Sequence, residues 1–85
     1  MNIKENIINY LKDKNYIITI YDNHLYVYRY TKIITLNDHL ILFVINKKKV
    51  TIKGLDLKVE KMTDDEFIIN GDLKNIDIGE NYEKD

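Results

Sequence analysis

The spacing of hydrophobic and polar positions changes once along this 85-residue chain, close to residue 16. Before that point, in NIKENIINYLKDK, Ile3, Ile7, Ile8, Tyr10 and Leu11 recur at helical intervals, with Lys4, Glu5, Asn9 and Lys12 toward the other side. Such spacing gathers the apolar side chains into one stripe. Asn2 supplies a capping oxygen and Glu5 follows three residues later, as in a capping box. The pattern predicts a helix over about residues 3–13. A helix this short is marginal in water, so its stripe has to dock on a sheet, a partner protein or a membrane surface.

From Tyr16 onward the period falls to two, and β-branched and aromatic residues take over: YIITIY, HLYVYRY, KIITL, HLILFVI, KVTIK, DLKVEKM, EFIIN and DLKNIDI. Turn-forming residues separate them, with Asp22-Asn23, Asn37-Asp38, Asn46-Lys47-Lys48 and Thr63-Asp64-Asp65. Connections this short favour antiparallel neighbours, because a parallel crossover needs a dozen residues or more. The expected fold is mostly β: a small antiparallel β-sandwich or partial barrel of seven to eight strands over about residues 16–78, preceded by one N-terminal α-helix. Gly54 sits inside a pattern that resumes at once, which reads as a bulge or bend. Asn70-Gly71 reads either as a type I′ hairpin turn or as a second bend. Residues 79–85 form a polar tail, and no repeat or linker divides the chain, so residues 1–85 read as one domain.

Two stretches stand out as surface. Tyr26, Tyr28 and Tyr30 alternate, so an unbroken strand would set all three on one face. LILFVI at 40–45 is apolar on both faces, with Ile41, Phe43 and Ile45 on one and Leu40, Leu42 and Val44 on the other. One of those sets needs a cover, since three wet aliphatics would forfeit several kcal/mol at about 25 cal/mol per Å². The N-terminal helix is the simpler cover and a second protein chain the other. Tyr26, Tyr28, Tyr30, Leu40, Leu42 and Val44 are therefore the candidate protein-interaction residues.

Composition narrows the chemistry. With 45% hydrophobic and 32% charged residues the chain can fill a core without being a membrane protein or a disordered polyelectrolyte. The net charge of −1 and the single Arg29 argue against a dedicated nucleic-acid binder. A single-stranded nucleic-acid site on the tyrosine face, beside Lys47, Lys48 and Lys49, stays open as the alternative. Isoleucine, asparagine, lysine and tyrosine dominate while six residue types are absent, a bias toward A/T-rich codons that raises tyrosine and lysine counts without selection for stacking or charge. No cysteine exists to make a disulfide or a thiolate metal site, and nothing in the N-terminal residues resembles a signal peptide. A cytoplasmic protein is expected, with membrane association only peripheral or through a partner.

Catalysis finds no constellation. His24 and His39 both stand beside turns, where a solvated ring is the ordinary expectation. Asp64, Asp65 and Glu66 lack the alternating ligands of a calcium loop and read as a solvated turn. No serine is present, and the three glycines form no phosphate cradle. The expectation is a non-enzyme with no catalytic residue, no cofactor and no metal.

Residues 50–78, VTIKGLDLKVEKMTDDEFIINGDLKNIDI, resemble the YabP/YqfC family of sporulation proteins of endospore-forming bacteria. The likeness is carried by Val50 and Ile52, Gly54, Leu57 and Val59, Met62, the acids Asp65 and Glu66, Phe67 to Ile69, Gly71, Leu73 and Ile76, at the family's spacing and without gaps. Ile41 and Phe43 also fall on recurring apolar positions of that family, which leaves Leu40, Leu42 and Val44 as this chain's excess. Upstream the chain departs: the Glu-Asn-His/Arg signature that follows an early strand is replaced by Tyr28, Arg29 and Tyr30. The helix-then-strands order is similar to the YqfC branch. What the resemblance implies is a small β-sandwich without enzymatic activity. It would act as an interaction or assembly module in the mother cell, at the forespore membrane or in the spore coat, through a protein partner or self-association.

Overall fold

The computed structural model describes residues 16–81, with side chains described for residues 16–79. Six strands follow in chain order: β1 (Ile17–Tyr21), β2 (His24–Tyr28), β3 (Lys32–Leu36), β4 (Leu40–Ile45), β5 (Lys48–Met62) and β6 (Glu66–Asn81). They make one antiparallel sheet in the spatial order β1-β2-β6-β5-β4-β3. The helix expected over about residues 3–13 lies outside the described residues. Among the described residues the strand count is six, where the alternation predicts seven to eight. The difference has one cause: KVTIK and DLKVEKM are a single 15-residue strand, and EFIIN and DLKNIDI a single 16-residue strand. β6 also continues to Asn81, past the expected start of the tail.

Sixteen residues of straight strand would run about 50 Å, yet the longest dimension of the molecule is 44 Å. The β5/β6 ribbon therefore bends, and its register shows where. Leu55 pairs with Asp72 and Lys58 with Asn70, so Asp56 and Leu57 together face Gly71 alone. Asp56 takes φ 55°, which turns the strand and swings Leu57 inward to 5% exposure. Up to that point the buried positions of β5 are even-numbered (Val50, Ile52, Gly54); at Leu57 they become odd. A bulge adds one residue to one strand and so exchanges its faces. Further shifts at Lys53/Gly54 and Val59/Lys61 add to the bend. Gly54 lies at a register break, as its sequence context predicts, with the extra residue, Lys74, on β6, and Gly71 is the second bend and not a hairpin turn.

The bend divides the sheet. β2 pairs with the first part of β6, His24↔Asn70 through Tyr28↔Glu66, while β4 pairs with the first part of β5, Leu40↔Lys53 through Ile45↔Lys48. Folding at the bulge brings the two inner faces together. Leu25, Val27, Phe67 and Ile69 meet Ile41, Phe43, Ile45, Val50, Ile52 and Leu57 in one buried cluster. Phe43 and Phe67 touch edge to face at 5.3 Å and 87°, an arrangement worth about 1 kcal/mol beyond the area it buries.

The β1–β2 and β3–β4 turns then close the seam. Asp22-Asn23, both at positive φ, forms the two-residue loop joining β1 and β2, and Asn46-Lys47 does the same between β4 and β5. The Asn23 carbonyl accepts from Gly71 N–H at 3.1 Å, while the β3–β4 turn offers His39 O to Gly54 N–H at 3.1 Å and Asp38 O to Leu57 N–H at 2.9 Å. Amides that the bulges turn out of the ladder are thus satisfied by loop carbonyls, as buried donors require. The close approach of β5 and β6 at the bend leaves no room for side chains: a Cβ on Gly54 would lie 2.4 Å from Asp72 O, and one on Gly71, at φ 152°, 2.8 Å from Asp56 O. Gly54→Ala gains about 0.4–1 kcal/mol from a stiffer unfolded chain, but overpacking of this kind costs about 1–3 kcal/mol. A net loss of stability in urea unfolding is expected for Gly54→Ala and for Gly71→Ala, whereas Gly79→Ala, whose Cβ would approach Lys49 O only to 3.2 Å, is expected to lose less.

Candidate interaction surface

The tyrosine alternation ends at Arg29. That residue takes φ 68°, its N–H donates to Asp65 O, and the chain crosses from the β2 side of the fold to the β4 side, where Thr31 N–H donates to Val44 O at 2.7 Å. Tyr30 is turned inward as a result. Its ring meets Phe67 at 5.2 Å and its hydroxyl donates to Thr63 O at 2.7 Å. Three tyrosines on one face, the expectation from period two, is corrected to two on the outer face and one against the core, because a single left-handed residue resets the alternation.

Tyr26 and Tyr28 do share the outer face of the β1-β2-β6 part of the sheet, with Ile17 and Thr19 opposite them on β1 and Ile68 and Glu66 on β6. Tyr26 is only 4% exposed. Its hydroxyl donates to Glu66 Oε1 at 2.6 Å, and Glu66 Oε2 lies 3.4 Å from Lys61 Nζ. Burial first, and the bond to Glu66 second, push the Tyr26 phenol well above its usual range. A ring buried to this degree presents no free face for a base or sugar. Tyr28 is half-buried, with the Arg29 guanidinium 5.4 Å from its ring centre.

Leu40, Leu42 and Val44 lie on the outer face of the other half, across from Lys53, Thr51 and Lys49 of β5. Leu40 and Leu42 are half-buried, and Val44 is 4% exposed. Lys32 and Lys49 flank Val44 directly across its two neighbouring strands, where their aliphatic stems can cover it. β6 and β5 stand between β2 and β4 in the sheet. The structure therefore makes two separate outer surfaces from the six candidate residues: Tyr26 with Tyr28, and Leu40 with Leu42 and Val44, while Tyr30 belongs to neither.

Two features were not legible in the sequence. One is a half-open cleft of about 310 Å³ where the β3–β4 turn meets the bulge, lined by Leu36, Asn37, Asp38, Ile41, Leu57, Lys58, Val59 and Ile69. It exists because Leu57 changes face, which no periodicity announces. The other is His24. Its Nδ1 lies 2.7 Å from Asp22 O and its Nε2 3.0 Å from Glu60 Oε2, and its ring stacks on Tyr21 at 5.6 Å and 13°. The solvated ring expected beside a turn is thus engaged on both nitrogens and 24% exposed. Glu60 is the extra residue of the Val59/Lys61 bulge, 36 positions away, so nothing in local sequence pairs them. His39 conforms better, at 67% exposure beside Asp38.

Among the described residues no three His, Cys, Asp or Glu converge as metal ligands, and no helix is long and apolar enough to cross a membrane. No protein-family model, curated protein or solved structure matches the chain.

Both partners of His24 are acceptors, so only the imidazolium, with two N–H donors, satisfies them together. The hydrogen bond to the Asp22 carbonyl, the largest influence, outweighs desolvation, and with the Glu60 carboxylate adding to it the His24 pKa is raised above its ordinary 6.5. A raised folded-state value means that the stabilisation is complete below pH 6.5 and is lost as pH rises through the folded pKa. The thermal stability of the wild type is therefore expected to fall across that interval relative to His24→Gln. Parallel pH profiles for the two proteins would show that the ring carries no linked charge.

Proposed function

We propose that this chain is a non-catalytic assembly module of endospore formation, a member of the YabP/YqfC group, working in the mother cell at the forespore envelope or in the coat. In this reading the folded-over sheet is a small sandwich, the stripe of Ile3, Ile7, Ile8 and Leu11 is a helix docked against it or against a partner, and the outer surfaces carry protein contacts. Association with a membrane would be peripheral or through that partner.

One observation carries the reading. The stretch that resembles the family, residues 50–78, coincides with the bent β5/β6 ribbon, and its two glycines occupy the two positions around Leu57 where a side chain would collide. A spacing of glycines that looks like a family signature here has a mechanical reason, because Gly54 and Gly71 both need to admit the Leu57 side chain, whose Cδ2 would lie 2.8 and 2.9 Å from their added Cβ atoms. Leu40 and Leu42, absent from the family pattern and half-buried outside the core cluster, are the residues available for a specific partner.

Deleting the chain in its host is expected to reduce heat-resistant spores with vegetative growth unchanged. Complementation with the wild type should restore them, and with Leu42→Asp should not, although circular dichroism shows the variant folded. Normal sporulation of the deletion strain would overturn the proposal.

A further inference from the structure

The two ends of the sheet are not equally protected. β3, at one end, carries Lys32 and a register break between Ile33 and Thr35. Charge and bulge are devices that keep an edge from pairing with another chain. β1, at the other end, has neither. Its five residues, IITIY, pair with β2 without a break from Ile17↔Tyr28 to Tyr21↔His24, and none is charged. Among the described residues no strand lies beyond it.

The hairpin geometry says which backbone groups β1 presents. In a two-residue loop the flanking residues form a hydrogen-bonded pair, so Tyr21, Thr19 and Ile17 bond to β2. Ile18 and Ile20 then direct their N–H and C=O groups away from it. Ile20 is also 45% exposed although it belongs to the inner-face row Ile20↔Leu25↔Ile69↔Val59.

We infer that β1 is a self-association edge and that its partner is β1 of a second copy of this chain, antiparallel about a two-fold axis through Thr19. In that register Ile18 stands opposite Ile20 of the other copy in a hydrogen-bonded pair, and the same pair recurs on the far side of the axis. All four outward groups of each strand are satisfied, as an isologous contact requires. Ile20 gains Ile18 of the second copy as its neighbour in the inner row, and Ile17 meets Tyr21 on the outer face. Because YIITIY has no charge, the two-fold brings no like charges together. The inference deepens the assembly reading and rests on it for a purpose, but its geometry stands independently. A single five-residue strand pair buries less than a standard interface, so a weak dimer is expected.

Sedimentation equilibrium from about 10 μM to about 1 mM, bracketing weak affinities, tests this. The wild type is expected to dimerise with rising concentration. Ile20→Lys should weaken that association at least tenfold, about 1.4 kcal/mol, and so should Ile18→Pro, which removes an outward N–H without costing a bond to β2. Ile34→Lys, on the other edge, should leave it unchanged. A second readout does not depend on those variants folding equally well. The chain has no cysteine, and a non-hydrogen-bonded pair places facing Cα atoms about 4.5 Å apart, within disulfide reach. Thr19→Cys should oxidise to a covalent dimer and Thr35→Cys should not. A wild type monomeric throughout, a dimer indifferent to Ile20→Lys, or cross-linking through residue 35 and not 19 would overturn the inference. Dimerisation of the purified protein together with normal spores in the deletion strain would sink the sporulation reading alone.

Discussion

Everything in this molecule depends on the close approach of backbone at the β5/β6 bend. Gly54, Gly71 and Leu57 converge there, and three amides that leave the ladder are taken up by carbonyls of the β1–β2 and β3–β4 turns. A straight ribbon would expose one apolar face along its whole length. Bending it converts one sheet into two facing halves, and the core is the space between them. The contact is unusual in depending more on the absence of side chains than on their presence. Glycine costs conformational entropy in a strand, so two of the chain's three glycines placed here indicate that steric room outweighs that cost.

Once the bend is fixed, the allocation of faces follows from single residues off the regular β conformation. Asp56 at φ 55° turns Leu57 inward, and Arg29 at φ 68° turns Tyr30 inward. Each left-handed residue costs about 1–2 kcal/mol for a side chain other than glycine. Each is offset by a large apolar group that gains a place in or against the core. Tyr26, left on the outer face, is accommodated differently: its ring is 4% exposed and its hydroxyl is bound to Glu66. The tyrosine-rich stretch is thus mostly construction material, with Tyr26 bound to Glu66 and Tyr30 set against Phe67 and Thr63.

The legible part of this fold was the part written at short range. Alternation marked every stretch of strand, and Asp22-Asn23 and Asn46-Lys47 marked hairpin loops through the tolerance of Asn and Asp for positive φ. Gly54 marked a bulge because the pattern resumed immediately after it. Strand count was overestimated because a bulge and a turn both interrupt alternation, and only pairing in three dimensions separates them. Tyr30 was misplaced for a related reason: period two holds only while every residue keeps extended dihedrals, and nothing about Arg29 as a residue type announces φ 68°. The candidate surface suffered most, since its two groups lie on strands that are near in sequence and separated by two strands in space. The links His24–Glu60 and Tyr26–Glu66, 36 and 40 residues apart, follow from that same long-range pairing.

The order of the strands adds a constraint of its own. By placing its two longest strands at the centre and its hairpins β1-β2 and β3-β4 on opposite flanks, the chain leaves β1 and β3 as the edges among the described residues. A sheet cannot avoid edges without closing completely, so any open β protein has to blunt them or use them. Here one edge is blunted by Lys32 and a bulge, while the other keeps its regular pairing and an uncharged sequence. That asymmetry is hard to attribute to composition alone, because lysine is abundant in the chain and yet absent from residues 15–31. In open sheets generally, two unblunted edges allow pairing to propagate without limit and two blunted edges prevent pairing through the backbone, so a difference between the two edges limits any edge pairing to a closed pair.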